Sequence, residues 1–168
     1  MSSSTLTGRG GTRNNIDMQC TEGTTNTWNN AVASQCVIGG KYTVALATNS
    51  NASETPTTDA NTSAAFIAMT PNKACAFVFG VNAAGTLVAA QGPITATETG
   101  ITTTVGAFKL APAFPPIPDD FCPIAYTLVR TAPDASAWTF GTSNWGASGV
   151  TVSDFIDVCE LPERPQTS

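Results

Sequence analysis

The chain has 168 residues, of which 42% are hydrophobic and only 11% charged, with a formal net charge of −5 and no histidine. That length suits one domain with a real core, with room for an arm but not for a second full domain. Seven basic residues scattered along an acidic chain argue against a nucleic-acid partner, which needs clustered Lys and Arg. The lack of histidine removes Ser-His-Asp and Cys-His machinery and the commonest metal ligand.

Polarity comes from Thr, Ser and Asn rather than from charge, and these residues suit strands and turns better than long helices. The expectation is therefore an all-β protein. The opening "MSSSTLTGRGGTRNN" lacks the apolar stretch of a secretory signal, and no later run is long enough to span a bilayer. This predicts synthesis in the cytosol and no membrane partner.

Residues 1–35 are rich in Gly, Thr and Asn and show little periodicity, so they read as an extended N-terminal arm, or equally as a solvated terminus. Arg9 and Arg13 are its only charges before Asp17, an arrangement suited to an arm lying on an acidic neighbour. A single all-β domain is expected over residues 36–160. It begins with "CVIGGKYTVALAT", where a Gly-Gly turn precedes alternating Tyr42, Val44 and Leu46. "NSNASETPTTDANTS" reads as a long polar loop. Its sequons at Asn51 and Asn61 read as turn chemistry, since no export signal accompanies them. "TSAAFIAM" fits either a short helix or a strand.

"CAFVFGVNAAGTLVAAQG" predicts a β-hairpin, with Phe77, Phe79 and Val81 alternating and Gly85 closing the turn at positive φ. "ITTTVGAFKLA" predicts a strand with Ile101, Thr103, Val105 and Ala107 on one side. Prolines 112, 115, 116 and 118 then make an ordered polyproline-like crossover. "CPIAYTLVR" is apolar on both faces, as a central strand is. "WTFGTSNWGASGVTVSDFIDV" predicts a short strand, a loop and a final strand to Val158, and residues 161–168 an extended tail. The closely spaced strands and turns fit a β-sandwich or small barrel of short antiparallel strands.

Candidate chemistry is sparse. Asp119 and Asp120 are adjacent, so in extended chain they face opposite ways and do not form an acid–base dyad. Calcium is the one metal that hard oxygen ligands from Asp119, Asp120, Asp154 and Asp157 would suit, but no D-x-D-x-D-G loop is present. Cys122 lies beside two anions, which raise rather than lower a thiol pKa, so it reads as the start of a buried strand. Five cysteines without a CxxC pair read as buried thiols, or as one or two disulfides formed after release into an oxidising medium. "GVNAAG" and "GRGG" lack the spacing of a phosphate loop. The three tryptophans suit either packing or sugar stacking. No catalytic, metal or cofactor-binding residue is assigned.

Taken in order, "FVFGVNAAGTLVAAQG", the proline-flanked "CPIAYTLV" and "FGTSNWGASGVTVSDFIDV" resemble a family of small structural proteins of tailed bacteriophages, over about the last hundred residues. "CVIGGKYTVAL" is similar to the strand that often precedes them. The resemblance implies a virion component, most plausibly a capsid decoration or cement protein that sits on the head surface and binds the major capsid protein and copies of itself. Trp28, Phe108, Phe114 and Trp145 are the expected apolar interface anchors, with Arg9 and Arg13 supplying arm contacts. A head- or tail-fibre module binding a cell-surface glycan through Trp145 is the alternative.

Overall fold

The computed structural model describes residues 12–14, 16–40 and 42–166. All its regular elements are strands. In chain order they are β1 (Arg13–Asn14), β2 (Cys20–Glu22), β3 (Thr27–Asn30), β4 (Cys36–Ile38), β5 (Tyr42–Val44), β6 (Asn49–Glu54), β7 (Lys73–Val81), β8 (Leu87–Gln91), β9 (Thr95–Ala96), β10 (Cys122–Thr131), β11 (Val150–Val152) and β12 (Ile156–Asp157). They form three antiparallel sheets, ordered β1-β4-β5, β2-β3-β6 and β11-β10-β7-β8, with β12 and β9 added beside β10 and β7.

The long pair β7 and β10 is the backbone of the molecule. Its central residues are buried on both faces, which is why neither segment reads as a simple polar alternation. Pro123 has no N–H to give the ladder, and the register slips there, between Pro123 and Ala125. The β7–β8 hairpin forms as its sequence predicts. Asn82 Oδ1 accepts from the N–H groups of Ala84 and Thr86, and Gly85 takes φ +76.

One face of this sheet carries an aromatic core. Phe140 is fully buried, stacks on Phe77 with centroids 4.6 Å apart, and meets Phe66, Phe79, Trp138 and Trp145 at 4.7–6.4 Å. Met18, just before β2, and Cys20, Trp28, Cys36 and Ile38 from the N-terminal strands join the same cluster. Face-to-face burial between sheets gives a sandwich rather than a closed barrel. The opposite face is covered by irregular chain: Ile117 and Phe121 pack with Val78, Ala90 and Tyr126, and Phe114 and Leu161 lie against them. A Cβ on Gly80 would fall 2.1 Å from the Phe121 ring, so glycine there lets the crossover lie flat on the sheet.

Several expectations need correction. The described residues before Gln35 do not form an arm: β1, β2 and β3 are paired strands whose side chains enter the core, because Trp28 and Met18 bury more apolar area than the polar residues around them suggest. The rest of the expected arm, residues 1–11 with Arg9, lies outside the described residues. "NSNASE" is strand β6, paired with β3, rather than loop. "TSAAFIAM" is neither helix nor strand; it is irregular chain held by isolated bridges at Ala65 and Met69. The expected strand from Ile101 is a short protrusion instead, with Ile101 and Thr104 closing its turn by mutual backbone hydrogen bonds of 3.1 and 2.9 Å. The last strand divides into β11 and β12. Of the tail, Gln166 donates its N–H to Tyr126 Oη and Pro165 is buried, so residues 161–166 lie on the body.

Phe140→Ala should lower unfolding stability by about 3–5 kcal/mol, because it removes the ring on which both layers converge and leaves a cavity. Urea unfolding followed by tryptophan fluorescence measures it; a loss below about 1 kcal/mol would show that the core closes without this ring.

Candidate functional site

The residues expected to make an interface are scattered. Trp28 and Trp145 are 2% and 4% exposed, inside the aromatic core, and so are not surface anchors on this chain. Trp145 is fixed by two bonds to the N-terminal layer, its backbone N–H to Thr25 O and its indole Nε1 to Thr27 O. The glycan reading that relied on an exposed Trp145 loses its platform. Phe114 is half-buried, edge-on to Tyr126 at 4.9 Å. Phe108 is also half-buried, with the Arg130 guanidinium 4.9 Å above its ring. Arg13 is exposed on β1, opposite Val37.

Sequence reasoning missed the large apolar side chains that do face solvent: Ile67, Ile101 and Leu110, at 70%, 78% and 67% exposure. The sequence pattern places Ile101 in a strand, on one side with Thr103, Val105 and Ala107. The triplet of threonines after it was the available signal, since Thr102 sits at φ +49, a turn conformation a β-branched residue adopts under strain. Arg130 also donates from Nη1 to Gly106 O, which braces the base of the protrusion.

The opening of β10 resolves the Asp-Asp-Cys segment. Asp119 and Asp120 are the two exposed central residues of a turn closed by Phe121 N–H to Pro118 O at 3.1 Å. Cys122, the next residue but one, is fully buried. The Cys36 thiol beside it, and burial, push the Cys122 thiol well above the ordinary range; the neighbouring aspartates are not the cause. The same contact, with Cys122 as donor, lowers Cys36. Burial pushes Cys75 up to about 12. Cys20, Cys36, Cys75 and Cys122 are buried free thiols and Cys159 is an exposed one.

Comparison with family models, with characterised proteins and with solved structures finds no match for this chain.

Among the described residues no group of three or more Cys, Asp or Glu side chains is arranged to hold a metal ion. The carboxylate with the clearest structural task is Asp157. Its two oxygens accept the Cys20 N–H at 3.1 and 3.2 Å, tying β2 to β12. Burial, and then the charge of Asp17, raise its pKa above the ordinary value of 3.8, against the hydrogen bonds from Cys20, which lower it.

A raised folded pKa means that the folded chain holds this proton more tightly than the unfolded one. Its stabilising contribution is complete below the ordinary carboxylate value and is lost as pH rises through the folded value. Wild type should therefore gain stability relative to Asp157→Asn as pH falls from about 6 to about 4. Paired urea titrations across that range check it; a difference independent of pH would remove Asp157 as the source.

Proposed function

We propose that this chain is a structural adhesion protein of a tailed-phage virion, a capsid decoration or cement protein that binds the major capsid protein on the outer surface of the head and holds neighbouring subunits together. The observation that supports it most is the protrusion of residues 97–108. A tight turn presents Ile101 to solvent, Leu110 follows it, and the Phe108–Arg130 stack stiffens the base. Exposed aliphatic side chains on a braced hairpin gain most of their free energy when a partner buries them, and little ordering entropy opposes it.

The sheet β2-β3-β6 adds a second adhesive element. β6 ends the sheet, five of its six residues are exposed, and apart from Ala52 it carries Asn, Ser and Glu. Polar edges of this kind resist indiscriminate pairing while leaving backbone groups for a specific partner. On a lattice, many such weak contacts act together through high effective concentration.

Two measurements test this reading. Labelling of purified particles should place the protein at repeating lattice positions on the head; fibre-tip positions would favour the fibre alternative, and absence from particles would end both. The double variant Ile101→Ser, Leu110→Ser should weaken head binding about 100-fold or more, from the lost burial of two aliphatic side chains. Its own folding stability should change by no more than about 0.5 kcal/mol per site, because both residues are solvent-exposed. Unchanged occupancy would show that the protrusion is not the contact.

A further inference from the structure

We propose that the concavity over β2, β3 and β6 binds a neutral saccharide through amide and hydroxyl side chains. This goes beyond the decoration reading and does not depend on it.

The concavity is open and about 690 Å³ in volume, and no charged side chain lines it, although the chain as a whole is acidic. Phosphates and cations therefore have no charged partner there. Ala31 and Ala52 are its only apolar side chains, too little to hold a lipid or the side chains of a peptide. What remains is dense neutral hydrogen-bonding capacity, which matches a ligand whose hydroxyls both donate and accept.

The walls are held before any ligand arrives. Asn29 Nδ2 donates to Glu22 O at 3.0 Å and its Oδ1 accepts from Asn51 N–H at 2.8 Å. Asn49 Nδ2 donates to Trp28 O, which leaves its Oδ1 open. The side chains of Gln19, Thr48 and Ser50 have no partner within the described residues, so their donors and acceptors face solvent.

Two further features lie at this face. Asn30 forms part of the lining and is 1% exposed; both hydrogens of its Nδ2 are spent, on Val32 O and Ala47 O, and its Oδ1 meets no donor. A buried acceptor without a donor is what a trapped water would satisfy. The backbone is also strained at the rim. Gln19 and Asn51 sit at φ +53 and +54, and the β3–β6 register slips between Thr27 and Asn29. Such strain persists where the surrounding structure holds it, and it aims side chains that regular strands would not.

With no aromatic ring among its lining residues, affinity is carried by hydrogen bonds alone and is weak, in the millimolar range.

The test is titration of the full-length, isotope-labelled protein with maltotetraose, cellotetraose and chitotetraose, reading backbone and side-chain amide resonances. A Gly-Ser peptide and inorganic phosphate are the controls. The expected result is saturable shifts with at least one saccharide, confined to Gln19, Asn29, Asn30, Asn49 and their neighbours. Gln19→Gly should weaken that binding at least fivefold without lowering the melting temperature, because glycine suits the positive φ there. Ser50→Trp, at an exposed position, should block it. No saturable shift with any of the three saccharides, equal shifts with the peptide or phosphate, or full binding by Gln19→Gly would each overturn the proposal.

Discussion

The contact between Phe140 and Phe77 is the joint on which the rest of the structure depends. Phe77 comes from the central strand β7 and Phe140 from an irregular loop after β10, yet their rings stack at 14° and 4.6 Å. Around them Trp138 and Trp145 come from the same loop, Phe79 from β7, and Trp28 from β3, the last stacked on Phe79 at 6.4 Å. Strands of two to four residues have little stability of their own, so β2 to β5 persist because their inward side chains share this cluster, and β1 by pairing with β4. The aromatic core makes one body from three small sheets.

The polar composition has a structural use as well. Asparagine side chains bind backbone throughout the irregular parts: Asn26 to Gly141 O, Asn30 to Ala47 O, Asn72 to Gly100 N–H, and Asn82 across its turn. A chain with so few residues in long strands leaves many backbone groups outside the ladders, and these amides and threonine hydroxyls satisfy them. They also set the chemistry of the surface. It is rich in uncharged hydrogen-bonding groups and, at a net charge of −5, low in charge for its size, which favours recognition by shape, backbone pairing and hydroxyl contacts over electrostatic steering. The protrusion at Ile101 and the amide-lined concavity both lie on that surface.

The cysteines follow the same logic of burial. Four occupy core positions as small apolar groups, and burial or a neighbouring thiol raises three of these. Cys36 differs because the Cys122 thiol donates to it, which makes it the most acidic of the buried set in direction. Cys159 is exposed, and its carbonyl accepts the Asn14 N–H, so the end of the chain is fastened beside β1.

The sequence by itself determined that the protein is built of strands, where its hairpins turn and which chemistries it lacks. Alternation at Phe77, Phe79 and Val81, the glycines at 39, 40 and 85, and the absence of histidine act within a few residues or need no folding at all. The central character of β10 was legible too, because burial on both faces leaves an unbroken apolar run. Only the tertiary structure decided which aromatic residues are inside. Trp28 lies in a polar stretch and Trp145 in a glycine-rich loop, and local pattern points both outward. Trp28 is covered by Phe79 of β7, more than fifty residues on, and Trp145 is held inward by its bonds to Thr25 and Thr27, more than a hundred residues back, as well as by the rings of its own loop. The β3–β6 pairing, the strained rim at Gln19 and Asn51, and the exposed Ile101 have the same origin. Each results from how distant segments share limited apolar surface, and period and propensity carry no record of that distance.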